Sequence, residues 1–180
     1  MAVIKNIIVV IMRGISGAGK STLVKKLEDH FLFKMDWESF TCSADSYFMI
    51  NDKYEFNPHL LTEAHSHCFN TFLEDMKHAE QLLDEEPDSK GCVIFVDNTN
   101  TERWEYTPYY LGAESQGFKP MLLQVNHNTK ECIKQNLHEV HEKAIKAMAK
   151  RFEKSLPWHN QIEAIRDVDI ESLCNAIIED

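Results

Sequence analysis

The most constraining feature of this sequence is a glycine-rich segment at residues 14–21, which reads Gly-Ile-Ser-Gly-Ala-Gly-Lys-Ser. Its glycines allow backbone conformations that other residues avoid, so that backbone N–H groups can approach phosphate oxygens closely. Lys20 would add a positive charge at the β- and γ-phosphates, and the Ser21 hydroxyl could ligate Mg²⁺ at the positive end of a helix. The pattern predicts a P-loop that binds a nucleoside triphosphate with magnesium. The predicted nucleotide-binding residues are Gly14, Ser16, Gly17, Ala18, Gly19, Lys20, Ser21 and Thr22.

The segments on both sides of this loop are the ones that a P-loop requires. Residues 4–12 are almost wholly apolar and rich in β-branched side chains, the pattern of a strand buried on both faces of a parallel sheet. Residues 20–31 carry Leu23, Leu27 and Phe31 at four-residue intervals, on one side of a predicted helix. Because a strand and a helix flank the loop, a glycine-rich turn without phosphate chemistry is the weaker interpretation.

Further strands and helices alternate along the rest of the chain. Apolar runs predict strands at residues 39–44, 92–96 and 121–125. Apolar spacing and capping residues predict helices at residues 58–83, 129–137, 138–154 and 169–178, and one that begins at Thr107-Pro108 and ends at Gly117. The alternation predicts a single α/β domain over residues 1–180, with a parallel sheet and with ligands at the carboxyl ends of its strands.

The composition is consistent with this fold, and it also bears on the ligands and the cellular compartment that we expect. The formal net charge is −10, and such a field repels nucleic acid unless a local basic patch opposes it. The five cysteines are scattered and form no Cys-x-x-Cys pair, which argues against disulfides or structural zinc and favours the reducing cytoplasm. The apolar run at residues 7–12 is far shorter than the roughly 20 residues of a membrane span, so no membrane association is predicted.

The phosphate loop alone does not choose among GTPases, motor ATPases and small kinases, which all contain it. The sequence lacks an Asn-Lys-x-Asp segment, which reads guanine in GTPases, and motor ATPases usually have longer chains. A small kinase is the class that remains.

Several segments beyond the loop carry a more specific pattern. They are residues 43–48, 54–58 and 96–101, with further matches spread over residues 136–153. With the loop included, the chain resembles the polynucleotide-kinase-like P-loop domains over most of its length. Such domains occur in phage 5′-hydroxyl polynucleotide kinases and, with closer similarity to this chain, in a vertebrate ubiquitin-ligase-binding protein and its paralogues. The resemblance implies a P-loop kinase-type parallel sheet with helices on both faces and a helical lid.

The resemblance also implies a reaction, the transfer of the γ-phosphate of ATP to a hydroxyl, most closely the 5′-hydroxyl of RNA or DNA. Asp45 matches the general base of the family, and a carboxylate after the second strand would face the P-loop and accept the proton of the attacking hydroxyl. Residues 138–154 match the lid, in which Arg151 would present a cation to the transferred phosphoryl group. The catalytic residues implied in this way are Asp45, Lys20 and Arg151.

The residues after the strand at 92–96 are candidates for metal and acceptor contacts. Asp97 closes this strand, where a carboxylate could reach the magnesium shell or orient the acceptor. Ser21 and Asp97 are the predicted metal ligands. The predicted acceptor-binding residues are Asp97, Asn98, Thr99 and Asn100. The residues themselves leave plainer alternatives open, namely turn chemistry for Asp45 and the asparagines and a solvated helix surface for Arg151.

At some positions the chain departs from the family pattern. Phe48 stands where the phage enzymes carry an arginine for the substrate phosphate, Ser46 replaces a second aspartate, and Gln135 replaces an arginine before the lid. With the acidic net charge, these differences leave two alternatives to a polynucleotide kinase. One is a kinase of a small hydroxylated molecule such as a nucleoside or sugar, and the other is a nucleotide-binding interaction module without turnover.

Overall fold

Short strands that run in the same direction form the centre of this protein. The computed structural model describes residues 6–51, 53–85, 90–126, 128–136, 140–164 and 168–179. In these residues the strands are β1 (Ile7–Arg13), β2 (Glu38–Cys42), β3 (Met49–Ile50), β4 (Lys53–Tyr54), β5 (Cys92–Val96), β6 (Lys119–Val125) and β7 (Gln161–Ala164). Five of them form one parallel sheet in the order β2-β5-β1-β6-β7, and β3 pairs with β4 as a small antiparallel hairpin.

Helices connect the parallel strands and cover both faces of the sheet. They are α1 (Lys20–His30), α2 (Leu61–Glu85), α3 (Arg103–Ser115), α4 (Thr129–Lys134), α5 (Glu142–Arg151) and α6 (Ile170–Glu179). A π-helical turn, Phe31–Met35, extends α1, and a 3₁₀ turn, Ala44–Phe48, follows β2. In the part of the chain that the structure describes, every helix is too short or too polar to cross a bilayer. The predicted α/β fold with a parallel sheet between helices is confirmed.

Strand β1 is buried on both faces, as its sequence predicts. All seven of its residues are buried, and successive side chains point to opposite sides of the sheet. Ile8 and Met12 belong to the apolar cluster that contains the buried faces of α1 and α6, whereas Ile7 and Ile11 belong to the one that contains α2 and α3. The strand therefore separates two core layers, which explains why its sequence is continuously apolar and does not alternate.

Strand β1 also marks the place where the chain changes direction across the sheet. The chain runs from β1 to β2 and back through β5 on one side, and then passes β1 to form β6 and β7 on the other. In open parallel sheets, ligands bind outside the carboxyl ends of the strands at such a switch point. The segments that follow β1, β2 and β5 contain the glycine-rich loop, Asp45 and Asp97, so these residues meet at that edge.

The start of α3 differs from the prediction. Pro108 lies inside the helix, which begins five residues earlier at Arg103. A capping box fixes this start, because the backbone N–H of Glu102 donates to Glu105 Oε2 at 2.8 Å. Thr107 is therefore not a cap; its hydroxyl donates to the backbone oxygen of Arg103 at 2.6 Å, one turn earlier.

The helix predicted at the lid position is also shorter than expected. Within the predicted range 138–154, α5 occupies Glu142–Arg151, and residues 137–139 lie outside the described residues. The preceding helix, predicted at residues 129–137, ends at Lys134. By contrast, Gly117 takes the predicted left-handed conformation after α3, with φ of 75°.

Candidate active site

The glycine-rich loop joins β1 to α1 and is fastened to the neighbouring strand end. The backbone N–H of Gly14 donates to the carbonyl oxygen of Thr99 at 2.9 Å, which holds the loop against the segment after β5. Gly19 is the residue before α1 and has φ of 92°, a conformation that favours glycine. No side chain caps this helix start and no acidic residue lies in its first turn. The positive end of α1 is therefore available to an anion.

Gly17 is required by close packing. It has φ of 80°, and a Cβ atom at this position would lie 2.2 Å from the backbone oxygen of Cys132 in α4. Cys132 itself is buried. Any side chain at residue 17 would collide with the backbone of α4, so this glycine allows helix and loop to touch.

Lys20 points into the protein and has acidic neighbours. Its exposed fraction is only 8%, and its Nζ donates to the carbonyl oxygen of Ile15 at 3.2 Å. Burial lowers the pKa of Lys20, and the negative charges of Asp97 and Asp45 oppose this shift. Both carboxylates therefore lie close enough to act on the ammonium group. The structure brings together the P-loop lysine, the predicted base and the predicted metal ligand.

Asp97 lies half-buried at the carboxyl end of β5. Its backbone N–H donates to the carbonyl oxygen of Cys42 at 2.9 Å, which continues the pairing of β5 with β2. The next residue extends this connection, because Asn98 Oδ1 accepts a hydrogen bond from the backbone N–H of Ala44 at 2.9 Å. These bonds fix the segment that carries Asp97 against the segment that carries Asp45.

Asp45 is exposed in the 3₁₀ turn after β2, with an aromatic partner. Its backbone N–H is bound by the Ser43 hydroxyl oxygen at 3.2 Å, which is the turn chemistry that the sequence left open. Tyr54, at the end of the hairpin, donates its hydroxyl to Asp45 Oδ1 at 3.0 Å. Burial and the charge of Asp45 raise the pKa of Tyr54, so this tyrosine stays a hydrogen-bond donor at neutral pH. Tyr54 is not among the site residues predicted from the sequence.

The two asparagines after Asp97 are used within the fold. The side-chain amide of Asn98 donates to Cys68 Sγ at 3.3 Å in addition to its bond with Ala44. Asn100 has φ of 45° and is 2% exposed, and its amide donates to the carbonyl oxygen of Met12 at 2.8 Å. Both side chains are buried and bind other parts of the fold, and their role as acceptor contacts stays a prediction. Thr99 is less buried than the asparagines and uses its backbone oxygen to hold the P-loop.

Arg151 contacts the loop after β5 and not the glycine-rich loop. Its Nε donates to Thr101 Oγ1 at 3.1 Å and lies 3.5 Å from Glu102 Oε2. The side chain of Arg151 remains 44% exposed. Two residues later, the backbone N–H of Glu153 donates to the carbonyl oxygen of Thr101 at 2.8 Å. The end of α5 is thus docked beside the strand that carries Asp97.

Arg13 was missed by the sequence analysis and connects these same segments. Although it ends an apolar strand, it is fully buried. Its guanidinium donates to the carbonyl oxygens of Asn100 at 2.9 Å and Glu153 at 2.8 Å, and it lies 4.7 and 4.8 Å from the ring centres of Tyr106 and Phe152. Only the position of a lone charge at the end of an apolar run could have suggested this role.

The sequence matches a known family. A family model described as an AAA domain, AAA_33, matches residues 9–155, a range that includes the glycine-rich loop, both carboxylates and Arg151. The chain belongs to this family. The match covers most of the chain and leaves out β7 and α6.

Human NEDD4-binding protein 2 is a relative of this chain. The two are 26% identical over 181 residues, which cover 97% of this chain and 9% of that protein. The chain therefore spans less than a tenth of the length of this relative. This similarity confirms part of the resemblance inferred from the sequence, while the specific relation to phage polynucleotide kinases stays a prediction.

Two solved structures have the same fold. Kti12 from Chaetomium thermophilum, in complex with ADP-AlF3, superposes with a TM-score of 0.63 at 12% identity and covers 95% of both chains. The APS kinase CysC from Mycobacterium tuberculosis, in complex with AMPPNP and APS, has a TM-score of 0.59 at 14% identity over 97% of both chains. At these identities the likeness establishes the fold. This member of the AAA domain family has a P-loop kinase-like fold.

Proposed function

We propose that this chain is an ATP-dependent phosphotransferase whose acceptor is the 5′-hydroxyl of RNA or DNA. The observation that carries the proposal is the meeting of Lys20, Asp97 and Asp45 at the carboxyl edge of the sheet, where hydrogen bonds join the glycine-rich loop to the segment after β5 and that segment to the turn after β2. Phosphoryl transfer needs a cation for the phosphates, an oxygen ligand for a metal and a proton acceptor for the attacking hydroxyl. The three side chains supply one of each.

The glycine-rich loop would hold the triphosphate. The uncapped start of α1 and the N–H groups of the loop favour an anion, and Lys20 adds its charge from a buried position. The solved structures of Kti12 and CysC contain the nucleotides ADP and AMPPNP, and their shared fold supports the same ligand class here. ATP is therefore the proposed phosphate donor.

Magnesium fits the oxygen donors of this edge. Across the described residues, no three His, Cys, Asp or Glu side chains converge as metal ligands. Mg²⁺ needs no such cage, since it is usually held by one or two protein oxygens together with phosphates and water. Ser21, in the first turn of α1, and Asp97 are the residues that would hold it. The ion would neutralise charge on the transferred phosphoryl group.

Asp45 would accept the proton of the acceptor hydroxyl. As the hydroxyl oxygen attacks the γ-phosphorus, the bond from that phosphorus to the bridging oxygen breaks and ADP leaves. Tyr54 holds one oxygen of Asp45 through its hydroxyl, which orients the carboxylate. Arg151 would approach the transferred group from the end of α5, and Asp97 and Thr99 are the proposed acceptor contacts.

A small-molecule acceptor is the second candidate. It is favoured by the net charge of −10, because a polyanion gains little from such a surface. The fold shared with CysC, whose structure contains the small molecule APS, is compatible with it. An interaction module that binds nucleotide without turnover is the third possibility from the sequence.

One assay separates these functions. The protein would be incubated with γ-labelled ATP, Mg²⁺ and a panel of 5′-hydroxyl RNA and DNA oligonucleotides, nucleosides and sugars, with Asp45→Asn as the matched control. We expect label on oligonucleotide 5′ ends that depends on Asp45. Label on nucleosides or sugars alone would move the proposal to the small-molecule kinase. Binding of ATP without label on any acceptor would favour the interaction module.

A further inference from the structure

An exposed group of aromatic rings lies directly beside Asp45. We call Tyr47, Phe48, Tyr54 and Phe56 the aromatic platform. Phe48 is 2% exposed, and the rings of Tyr47 and Phe56 pack against it with centroid distances of 5.7 and 5.1 Å. The outer rings remain open to solvent, with 36% of Tyr47 and 52% of Phe56 exposed. The platform thus consists of a buried ring that supports two exposed rings.

The backbone holds these rings in place before any ligand binds. The hairpin of β3 and β4 pairs Met49 with Tyr54, and the N–H of Glu55 donates to the carbonyl oxygen of Phe48 at 2.8 Å. The rings of Tyr54 and Phe56 are nearly parallel, with an angle of 12° between their planes. A prearranged aromatic surface loses little conformational entropy when a flat ligand stacks on it.

The platform is joined to the candidate base by a hydrogen bond. Tyr54 belongs to the platform through its contacts with Phe48 and Phe56, and its hydroxyl binds Asp45 Oδ1 at 3.0 Å. A hydroxyl that loses its proton to Asp45 must therefore lie next to these rings. In a nucleotide with a free 5′-hydroxyl, the base is attached to the same sugar and would fall on the neighbouring surface.

The charge of the molecule makes stacking the expected source of acceptor affinity. With a net charge of −10, we expect few phosphate contacts to the acceptor. Aromatic rings bind bases without regard to that charge, and stacking is tolerant of sequence because every base has a flat face. Phe48 is buried and supports the two outer rings, so the contact with an acceptor base falls to Tyr47 and Phe56.

We propose that the aromatic platform binds the first base of a 5′-hydroxyl oligonucleotide by stacking on Tyr47 and Phe56. The inference rests on the proposed function, since it names the part of the acceptor that is recognised beside Asp45. A base at the 5′ end then contributes to acceptor affinity, whereas its identity has little influence.

Binding can be measured without turnover. A 5′-hydroxyl trinucleotide and the same molecule with an abasic first position would be titrated by calorimetry into protein that is saturated with AMPPNP and Mg²⁺. For the parent protein we expect the abasic ligand to bind about 5- to 100-fold more weakly. Phe56→Ala and Tyr47→Ala should weaken binding of the complete trinucleotide and remove most of the difference between the ligands. Phe56→Trp should restore it.

Phe33→Ala is the matched control. Phe33 is 74% exposed, and it lies in the π-helical turn before β2, whereas Asp45 follows the other end of that strand. This variant should leave both affinities unchanged, and thermal unfolding would verify that all variants are folded. Equal binding of both ligands by the parent protein, or an equal loss for both ligands in Phe56→Ala, would show that the platform does not bind the base.

The same variants separate this inference from the proposed function. Base-dependent binding without phosphate transfer would disprove the kinase but support base binding by the platform. Transfer to both trinucleotides with equal KM would support the kinase but disprove base binding by the platform.

Sedimentation would test whether the platform is instead an interface between copies of this chain. If the parent protein is a dimer that Phe56→Ala dissociates, the platform is an interface between copies and the inference is wrong.

Discussion

Two carboxylates of the candidate site lie in different surroundings, which suggests different roles. Asp45 is exposed on a turn and bound by Tyr54, whereas Asp97 is half-buried at a strand end. An exposed carboxylate can exchange a proton with an acceptor and with solvent. One at the strand end is better suited to a fixed metal contact.

Substitution of each carboxylate by its amide tests this assignment. Asp45→Asn should keep the fold and ATP binding but lower kcat by about 10²–10⁴-fold, since the amide cannot accept the proton. Asp97→Asn should instead shift the Mg²⁺ concentration that supports half-maximal rate. Steady-state rates over a magnesium series would show both effects. Near-normal turnover of Asp45→Asn combined with an inactive Asp97→Asn would exchange the two roles.

Lys20 should destabilise the folded protein in the absence of nucleotide. Burial lowers its pKa from the ordinary 10.5, and the charges of Asp97 and Asp45 only partly oppose this. Between the folded pKa and 10.5 the unfolded chain binds more protons, so stability rises with pH through that window. Below the window, the protonated lysine is held in a site that disfavours its charge.

Lys20→Met is the corresponding test. The variant keeps most of the length of the side chain without its charge, so we expect a higher urea midpoint than the parent at pH 7 and a smaller gain at pH 10. ATP affinity should fall by about tenfold or more, because the phosphates lose their nearest cation. Denaturation at both pH values and calorimetry would measure the two effects. If the gain in urea midpoint is the same at both pH values, its cause is better packing of the side chain and not the loss of its charge.

At the scale of elements, the contact between the glycine-rich loop and α4 can be tested with two glycines. Both Gly17 and Gly19 have positive φ, but a Cβ atom at residue 17 would meet the backbone of α4 at 2.2 Å, whereas one at residue 19 has nothing within 4 Å. Gly19→Ala should therefore add only backbone strain, about 1–2 kcal/mol. Gly17→Ala adds the collision and should cost about 2–5 kcal/mol. Equal losses in urea denaturation without nucleotide would contradict this explanation.

The docking of α5 beside β5 bears on the role of Arg151. This residue contacts Thr101 and Glu102 and is the last residue of α5, so it would approach the transferred group from the end of the helix. If its cation acts on charge that develops during transfer, Arg151→Ala should lower kcat by roughly 10²-fold and change ATP affinity little. Lys150→Ala, an exposed neighbour, is the control. Equal losses in kcat and in affinity would indicate ordinary ground-state binding.

At the scale of the whole molecule, the net charge predicts how acceptor binding depends on salt. A polynucleotide held by few phosphate contacts releases few counterions, so log affinity should fall with log salt concentration with a shallow slope that is clearly negative but no steeper than about −2. Calorimetry at salt concentrations from about 50 to about 300 mM, a range over which the Debye length shortens strongly, would measure this slope. A steep slope would require a basic surface that the proposal does not include. A slope of zero would favour an uncharged small acceptor.

Features formed by neighbouring residues could be predicted from the sequence. The glycines, the lysine and the serine of the loop are close together in the sequence, and their spacing by itself predicts phosphate binding. Strand β1 is continuously apolar, which indicates burial on both faces, and α1 carries apolar residues at helical spacing, which indicates burial on one face. Strand β7 has four residues, too few for a recognisable pattern, and it forms because the edge of β6 offers hydrogen bonds to it.

Contacts between distant residues were decided by the tertiary structure. Arg13 binds a carbonyl 140 positions away, and Gly17 meets Cys132 across the loop, although neither pair has any spacing in the sequence that would reveal it. The same holds for Tyr54 and Asp45, which are brought together by a hairpin too short to be predicted from its residues. Local sequence determines the backbone that can hold phosphate, because those interactions lie within one segment. Only the packing of strands and helices selects which side chains surround it.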